Sequence, residues 1–539
     1  MATYQDDIAG FYADYGLGLD ARIDSLRPQQ LEAIEWAVGR SEPYLFVNAP
    51  TGSGKTLLLA TYGMLASEER KVTDRLGAEQ RWSYAVSTKA LQDQVAGTFD
   101  GLPIIKGRGN FDCLIAEDVF FRTMTAAEAP CAGQQWCPHT GKDSEPYAGD
   151  AGAPCGYYAQ RAAALESPFR CTNYAQLLTY YPLRSVSPVL LADEAHNVEG
   201  AVCDFYELFL SRRTLGRFGV VLPESRDVEL WRDWAEDAIE GLPRPRKGHA
   251  KDGNKPDFGL ITARKHLSTI ANLTDDQIGN WLLEFKDTGV SWRPIWGRGL
   301  VVPAMLSNAS QTLFASATLM GPDYIADCLG LPDGSWVYLD LPSTFPPEIR
   351  PINYAPVVKM NAAAMVPGPN EVRAKMQASI DRLIDYYIGR GVNYGLIHSV
   401  SKKYRDHILT ESRWGFIMTL DADEHARKVG DGEASVLVTA SHTEGWDGAD
   451  ELCRFIIMPK VPFPDLTDRR TKIRQEEDAR SYDHKTLVAV VQGAGRGVRH
   501  RDDYCETWIL DESWRFIHAK RGDWLPESFR DAYRHNVRF

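Results

Sequence analysis

The sequence predicts an α/β protein, with parallel sheets crossed by helices in two domains that share one nucleotide. Three segments predict it, in this order: APTGSGKT at 49–56, LLADEAHN at 190–197 and VVQGAGRGVR at 490–499. The first is a phosphate-binding loop. Gly52 and Gly54, with Ser53 between them, let the backbone curl until its N–H groups point at phosphates. Lys55 then meets the β/γ-phosphates and the Thr56 hydroxyl meets Mg²⁺. LFV at 45–47 reads as a buried strand and LLLATYGML just after the loop as a helix. That is the context the motif requires.

The second segment is the metal end of the same site. Val189 to Ala192 form a short apolar run, read as a parallel strand covered on both faces. Asp193 at its C-terminal edge can hold Mg²⁺, and Glu194 can orient and deprotonate an attacking water. Ala195 and His196 complete an Asp-Glu-Ala-His box. The third segment supplies cations. Arg496 and Arg499 lie three apart, on one face if the segment is helical, with Gln492 one turn earlier. Hydrolysis spreads negative charge over the γ-phosphoryl oxygens, where inserted guanidinium groups stabilise it.

Bulk properties bound the partners. A chain of 539 residues, 44% hydrophobic and 25% charged, has material for three or four domains of ordinary globular composition. A net charge of −13 argues against a uniformly basic surface, so any nucleic-acid grip must be local. No apolar run is long enough for a membrane span, and MATYQDDIAGFYADYG lacks a signal-peptide core. A cytoplasmic location is expected, and nine cysteines in such a chain point away from a disulfide scaffold.

Four of those cysteines, Cys113, Cys131, Cys137 and Cys155, are spaced C-x17-C-x5-C-x17-C in a Gly-, Pro- and Ala-rich stretch over 107–160. Such a segment lacks the apolar content for its own core and needs a metal or cluster to order it. Four thiolates suit an iron–sulfur cluster or tetrahedral zinc, although the paired knuckles of zinc sites are absent. Unliganded thiols are the third reading, and His139 is a substitute ligand placed awkwardly close to Cys137. Cys171, in PFRCTNYAQLL, reads as a core residue on a strand leading into a helix. Cys203, Cys328, Cys453 and Cys505 are isolated in sequence and read as small buried hydrophobes.

With these motifs in place, nearly the whole chain resembles the XPD- and DinG-type iron–sulfur DNA helicases of superfamily 2. RPQQLEAI at 27–34 looks like the family's N-terminal Q-type motif, with Gln30 as adenine contact. AVSTKALQDQV at 85–95 resembles motif Ia. KGRGNFDC at 106–113 and CGYYAQR, followed by CTNYAQLL, at 155–178 resemble the flanks of the cluster domain. LFASATL at 313–319 is similar to motif III, and SHTEGWDGADEL at 441–452 to motif V, with Gly445 and Asp447 as nucleotide contacts. IIMPKVPFPD at 456–465 is a further family trait. The resemblance implies a [4Fe–4S] cluster on Cys113, Cys131, Cys137 and Cys155, ATP and Mg²⁺ as cofactors, and 5′→3′ movement on single-stranded DNA with unwinding of 5′-tailed duplexes.

It also implies an organisation: two RecA-like motor domains with parallel sheets, a small iron–sulfur domain and an Arch-like insertion. The first motor domain is expected from 1–106, 161–212 and 289–335, the cluster domain at 107–160, and the second motor domain at 336–539. The insertion at 213–288 is expected to be mainly helical, since RDVELWRDWAEDAI, ITARKHLSTIANL and DDQIGNWLLEF show a helical apolar period. The interval between the Asp-Glu-Ala-His box and the SAT motif is about 120 residues, so the Arch is reduced. The motor motifs begin almost at once, leaving no room for an N-terminal exonuclease. The basic stretch PRPRKGHAKDGNKPD at 243–257 reads as a solvated loop.

Single-stranded DNA is expected across both motor domains, held through phosphates by Ser87, Thr88 and Lys89 on one and Ser399, Lys402 and Lys403 on the other. Phe111, Trp136, Tyr157 and Tyr158 are candidates for base stacking or a wedge. The expected protein is a monomeric motor acting on tailed or forked DNA. The alternatives are an RNA helicase or ribonucleoprotein remodeller, and a nucleic-acid-bound effector subunit that uses ATP as a conformational switch.

Overall fold

The structure is a computed structural model that describes residues 4–68, 72–73, 79–114, 123–133, 139, 155–185, 187–244, 257–361, 364, 370–440 and 450–539. Cys137, Trp136, Gly445, Asp447 and most of the 243–257 loop lie outside the described residues.

Two parallel sheets organise the chain. Among the described residues the first has seven strands, ordered Trp336–Asp340, Tyr44–Asn48, Gln311–Ser316, Val189–Asp193, Trp82–Val86, Phe169–Asn173 and Ile104–Ile105. Its central strands are buried and largely apolar because both faces are covered, as parallel crossovers require. Leu45, Val47, Tyr84, Leu191 and Leu313 point into one core. Phe46, Ala85, Leu190, Ala192 and Phe314 point into the other. The second sheet repeats the plan with Met418–Thr419, Ser435–Thr439, Tyr394–His398, Phe455–Met458, Glu506–Asp511, Ile352–Val358 and Tyr533–Arg534. Here Leu396, Leu437 and Ile456 pack on one side and Ile397, Val436 and Ile457 on the other. Parallel strands bring their C-terminal ends to a common edge, which is where an open α/β sheet places its binding loops.

The expected boundary between the motor domains moves. Trp336–Asp340, assigned by sequence to the second, pairs in parallel register with Tyr44–Asn48, and Asn48 Nδ2 donates to Asp340 Oδ1 at 2.8 Å. The crossing to the second sheet therefore follows Asp340. A similar shift occurs at the cluster segment. The helix Gly156–Glu166 starts within 107–160 but sends Ala164 into the first domain's core.

Within the described residues of 213–288 the insertion is mainly helical, as expected, with one strand at Trp281–Lys286. Helices Val228–Gly241 and Phe258–Ala271 form as expected, but they pack on an antiparallel sheet of Leu208–Ser211, Gly289–Pro294 and Trp281–Lys286. The run NWLLEF, read as helix, is a strand because it serves two cores at period two. Trp281 and Leu283 face the insertion's core with Trp231 and Trp292, while Leu282 faces the opposite side with Ile295 and Trp296. The strand Leu208–Ser211 runs so close to the start of Gly289–Pro294 that a Cβ at Gly289 would lie 2.1 Å from the Leu210 carbonyl oxygen.

Candidate functional site

The loop after Tyr44–Asn48 has the geometry of a phosphate cradle. Gly52 and Gly54 take φ of 78° and 77°, a region where side chains are strained. A Cβ at Gly54 would stand 2.3 Å from Gln30 Nε2, and one at Gly52 would stand 2.6 Å from the Phe345 ring. Gln30 is buried and spends its amide on this loop. Nε2 donates to the Gly54 carbonyl at 2.9 Å, and Oε1 accepts from Arg27 N at 2.7 Å. Ser53 is buried, and among the described residues its Oγ has no hydrogen-bond partner. A hydroxyl left that way costs about 1–3 kcal/mol, which suits a loop shaped around an absent phosphate.

Lys55 opens the helix Lys55–Glu68, with Nζ 3.5 Å from Glu194 Oε1. Asp193, the last residue of its strand, accepts from Tyr84 Oη at 2.9 Å and from Glu194 N at 2.8 Å. The Thr56 hydroxyl also bonds Tyr84. Thr56 and Asp193 thus stand around one phenol, a hydroxyl and a carboxylate suited to a hard divalent cation. Burial, and then the Glu194 charge, push the Asp193 carboxyl up to about 6. For Glu194 burial acts upward too, but Lys55 and His196 outweigh it and hold this carboxyl below its ordinary value. Glu194 sits at φ 50°, a left-handed conformation uncommon for non-glycine residues. That turn aims its carboxylate back toward Lys55.

A polar relay runs from Glu194 into the second domain. The Ser316 hydroxyl donates to Glu194 Oε2 at 3.2 Å, and His196 Nδ1 lies 2.8 Å from Ser316 Oγ. Gln492 Nε2 bonds His196 Nε2 at 2.9 Å. With the amide donating there, the His196 proton resides on Nδ1 and is donated to Ser316.

Arg496 and Arg499 do not share a helical face. The helix Arg480–Ala494 carries Gln492 and stops at Gly495, so the arginines lie on the loop beyond it. Arg499 N donates to Asp503 at 3.0 Å, and its guanidinium bonds the Gly495 carbonyl at 3.2 Å. The Arg499 carbonyl oxygen comes within 3.7 Å of a Cβ built on Gly52, so this loop lies against the phosphate cradle. Beyond the helix the loop passes close to a strand start: a Cβ at Gly497 would sit 2.1 Å from Cys505 Sγ. Gly497→Ala should therefore lower stability by about 1–3 kcal/mol through overpacking, read as a reduced midpoint in denaturant unfolding. An unchanged midpoint would show that the loop yields freely.

Cys171 is buried on its strand, as expected. Cys453 and Cys505, far apart in sequence, are buried neighbours with sulfurs 3.9 Å apart. In the cluster segment, Cys113 N donates to the Met124 carbonyl beside an isolated bridge of Asp112 with Thr125, and Cys155 packs with Ala126 and Tyr157. Arg108 donates to Cys131 Sγ at 3.3 Å and to Tyr158 Oη at 3.1 Å. Among the described residues no group of three or more His, Cys, Asp or Glu is placed to hold a metal ion; Cys137 lies outside them.

The expected DNA contacts divide. Lys89, Lys402 and Lys403 are exposed, and Thr88 and Ser401 cap their helices. Ser399 is a correction. It is fully buried, and its hydroxyl donates to the Thr439 carbonyl at 2.9 Å, so it ties two strand ends together instead of facing a groove. Next to it, Val400 holds φ 66°, strained for a β-branched residue.

Comparison with known proteins places this architecture. Residues 393–532 match the helicase C-terminal domain family. A solved XPD helicase covers 95% of this chain and 100% of its own at TM-score 0.59 and 16% identity. The chain has the XPD-helicase fold. The S. tokodaii Xpd4 structure agrees, with TM-score 0.53 at 14% identity over 95% of this chain and 100% of its own. Among curated proteins, the ATP-dependent DNA helicase chl1 of Schizosaccharomyces pombe is 27% identical over 134 residues, 21% of this chain and 16% of that protein. Its Eremothecium gossypii counterpart is 24% identical over 198 residues, 29% of this chain and 25% of that one. The chain thus aligns with a quarter or less of the length of these relatives.

Within that fold, sequence reading missed Tyr84, Phe345 and the part played by Ser316. Ser316 stands inside LFASATL, so the motif pointed to its place but not to its bond with Glu194. Nothing about Tyr84 or Phe345 in one dimension marks them as neighbours of the phosphate loop.

Proposed function

We propose that this chain is an ATP-dependent DNA helicase that moves 5′→3′ along single-stranded DNA and separates 5′-tailed duplexes. The observation that carries the reading is the relay Glu194–Ser316–His196–Gln492, which ties the residue suited to activating water to the second domain. Lys55 and the loop N–H groups hold the terminal phosphates. Thr56 and Asp193 would hold Mg²⁺, which neutralises phosphate charge when bound. Glu194, kept ionised by Lys55 and His196, takes the proton of the attacking water. Arg496 and Arg499 meet the charge that develops on the transferred phosphoryl group. Loss of that charge releases the second domain's loop, and the Gln492–His196 bond reports the change to Glu194.

Cys113, Cys131, Cys137 and Cys155 would hold a [4Fe–4S] cluster, which supplies a rigid cross-link to a segment short of core. Support comes from the donor set: an Arg108 guanidinium beside Cys131, between the Tyr157 and Tyr158 rings, suits an anionic sulfur centre. Serine at Cys113, Cys131 or Cys155 should deplete iron, measured on anaerobically purified protein. Serine at Cys171 should leave iron content unchanged. Stoichiometric zinc without iron would overturn the cluster assignment. A monomeric motor working in the cytoplasm belongs to the same proposal.

Strand displacement on tailed duplexes tests the whole reading. Unwinding of 5′-tailed DNA, little on 3′-tailed or blunt DNA, and stimulation of ATPase by DNA above RNA are expected. Stimulation by RNA alone favours the ribonucleoprotein reading. Tight binding without any displacement favours an ATP-switched effector.

A further inference from the structure

A cavity of about 300 Å³ is lined by Gln492 and His196 and by no residue of the phosphate loop. Its floor is the segment after the Asp-Glu-Ala-His box, one wall is the helix Pro322–Leu329, and the other is made by helices Arg469–Glu477 and Arg480–Ala494. Tyr324, Ile325 and Leu329 make one side apolar, while Arg470, Arg474, His484 and Lys485 line the other.

The charges in this cavity do not balance. Glu199, its lining carboxylate, is committed to Arg474, which grips it through both guanidinium nitrogens at 2.6 and 3.1 Å. Arg470 donates to the Ile295 carbonyl at 3.3 Å, a neutral partner. Asp468 also acts on Lys485 from outside the lining, but it stands 3.5 Å from Arg293. Burial, and then the Arg474 charge, pull Arg470 below its ordinary value, and burial, then Arg474 and Arg470, do the same to Lys485. His484 is kept neutral at pH 7, chiefly by burial. Among the described residues its buried Nε2 has no hydrogen-bond partner, while its ring leans on Tyr324 at 5.0 Å. Two cations without a carboxylate of their own and one unbonded imidazole nitrogen, all lining one cavity, make a site suited to an anion.

We propose that this cavity binds a phosphate group, held by Arg470, Lys485 and His484. Two sources share that chemistry: inorganic phosphate that has left the nucleotide site past Gln492, or a backbone phosphate of bound single-stranded DNA. The site lies outside the nucleotide-binding residues, and its occupancy can be read with no hydrolysis taking place.

The test uses the full chain carrying Lys55→Ala, so that the phosphate loop does not report. Inorganic phosphate is titrated calorimetrically at constant ionic strength. In parallel, oligothymidylate binding is followed across a range of salt concentrations. Lys485→Gln and Arg470→Gln are each added to this background, with Lys485→Arg as the charge-conserving control. If the ligand is free phosphate, each neutral variant weakens phosphate binding at least about tenfold, and Lys485→Arg restores most of it. If it is the DNA backbone, phosphate gives no heat that depends on Lys485. The slope of log affinity against log salt then becomes shallower by about 0.7 per charge removed. Thermal unfolding midpoints should stay within error of the parent in each case. A phosphate isotherm and a salt slope both indifferent to Lys485 and Arg470 would overturn the proposal, and would leave the motor reading untouched.

Discussion

Lys55→Ala should bring ATP hydrolysis down to the level of a protein-free blank while leaving single-strand affinity close to that of the parent. Lys55 is the cation at the head of the loop's helix, and its Nζ stands 3.5 Å from Glu194 Oε1. Its removal withdraws the charge that holds the terminal phosphates and also the cation that, with His196, keeps Glu194 ionised. Ground state and chemistry both suffer, so nucleotide affinity and turnover should fall together. The exposed lysines that face the expected DNA track, Lys89, Lys402 and Lys403, are on other elements. Steady-state ATPase and fluorescence anisotropy on a labelled oligonucleotide separate the two effects. Near-parental hydrolysis in Lys55→Ala would end the motor assignment. Loss of both activities together would point to a collapsed first domain, which the unfolding midpoint would expose.

Much of this was legible in one dimension, for identifiable reasons. The phosphate loop, the Asp-Glu-Ala-His box and both parallel sheets were readable because their strands are buried on both faces. Such strands write unbroken apolar runs, as at 44–47 and 189–192. What failed was decided by contacts distant in sequence. Trp281–Lys286 carries apolar residues that suit a helix until two separate cores demand alternation. The loop holding Arg496 and Arg499 lies beyond its helix and is pressed against Cys505 at Gly497, a contact distant in sequence. Ser399 was read as a DNA donor beside Lys402 and Lys403, whereas its hydroxyl is spent on Thr439. Trp336–Asp340 was assigned to the wrong domain because a β-strand does not announce which sheet it will join. Tyr84 shows the same limit at the site itself. It is an ordinary strand tyrosine until Asp193 is folded beside it, 109 positions later.

The cluster segment bears the other large expectation. Replacing residues 111–155 with a short Gly/Ser linker should keep DNA-stimulated ATPase within about threefold and abolish strand separation. These limits come from packing. Lys106 N donates to Gln160, Ala164 fills the first domain's core, and Gln80 bonds the Leu165 carbonyl. Cutting to 160, as the sequence alone suggested, would remove part of that helix and unsettle the motor. Within 111–155 the described contacts are few: the small cluster of Phe111, Ala126 and Cys155 leaning on Tyr157, and Arg108 reaching Cys131. Splitting one base pair costs on the order of 1–2 kcal/mol, which a rigid body beside the track can impose on an advancing duplex and a floppy linker cannot. Pulling single strand needs only the two motor domains and their phosphate grip, so translocation-coupled hydrolysis should survive. Unwinding undiminished in the linker variant would remove the wedge from the mechanism. Loss of ATPase with an unchanged unfolding midpoint would mean that the segment acts on the nucleotide site itself. Lys89 offers a physical route for that, since its Nζ donates to Asn110 Oδ1 at 2.8 Å at the foot of the segment.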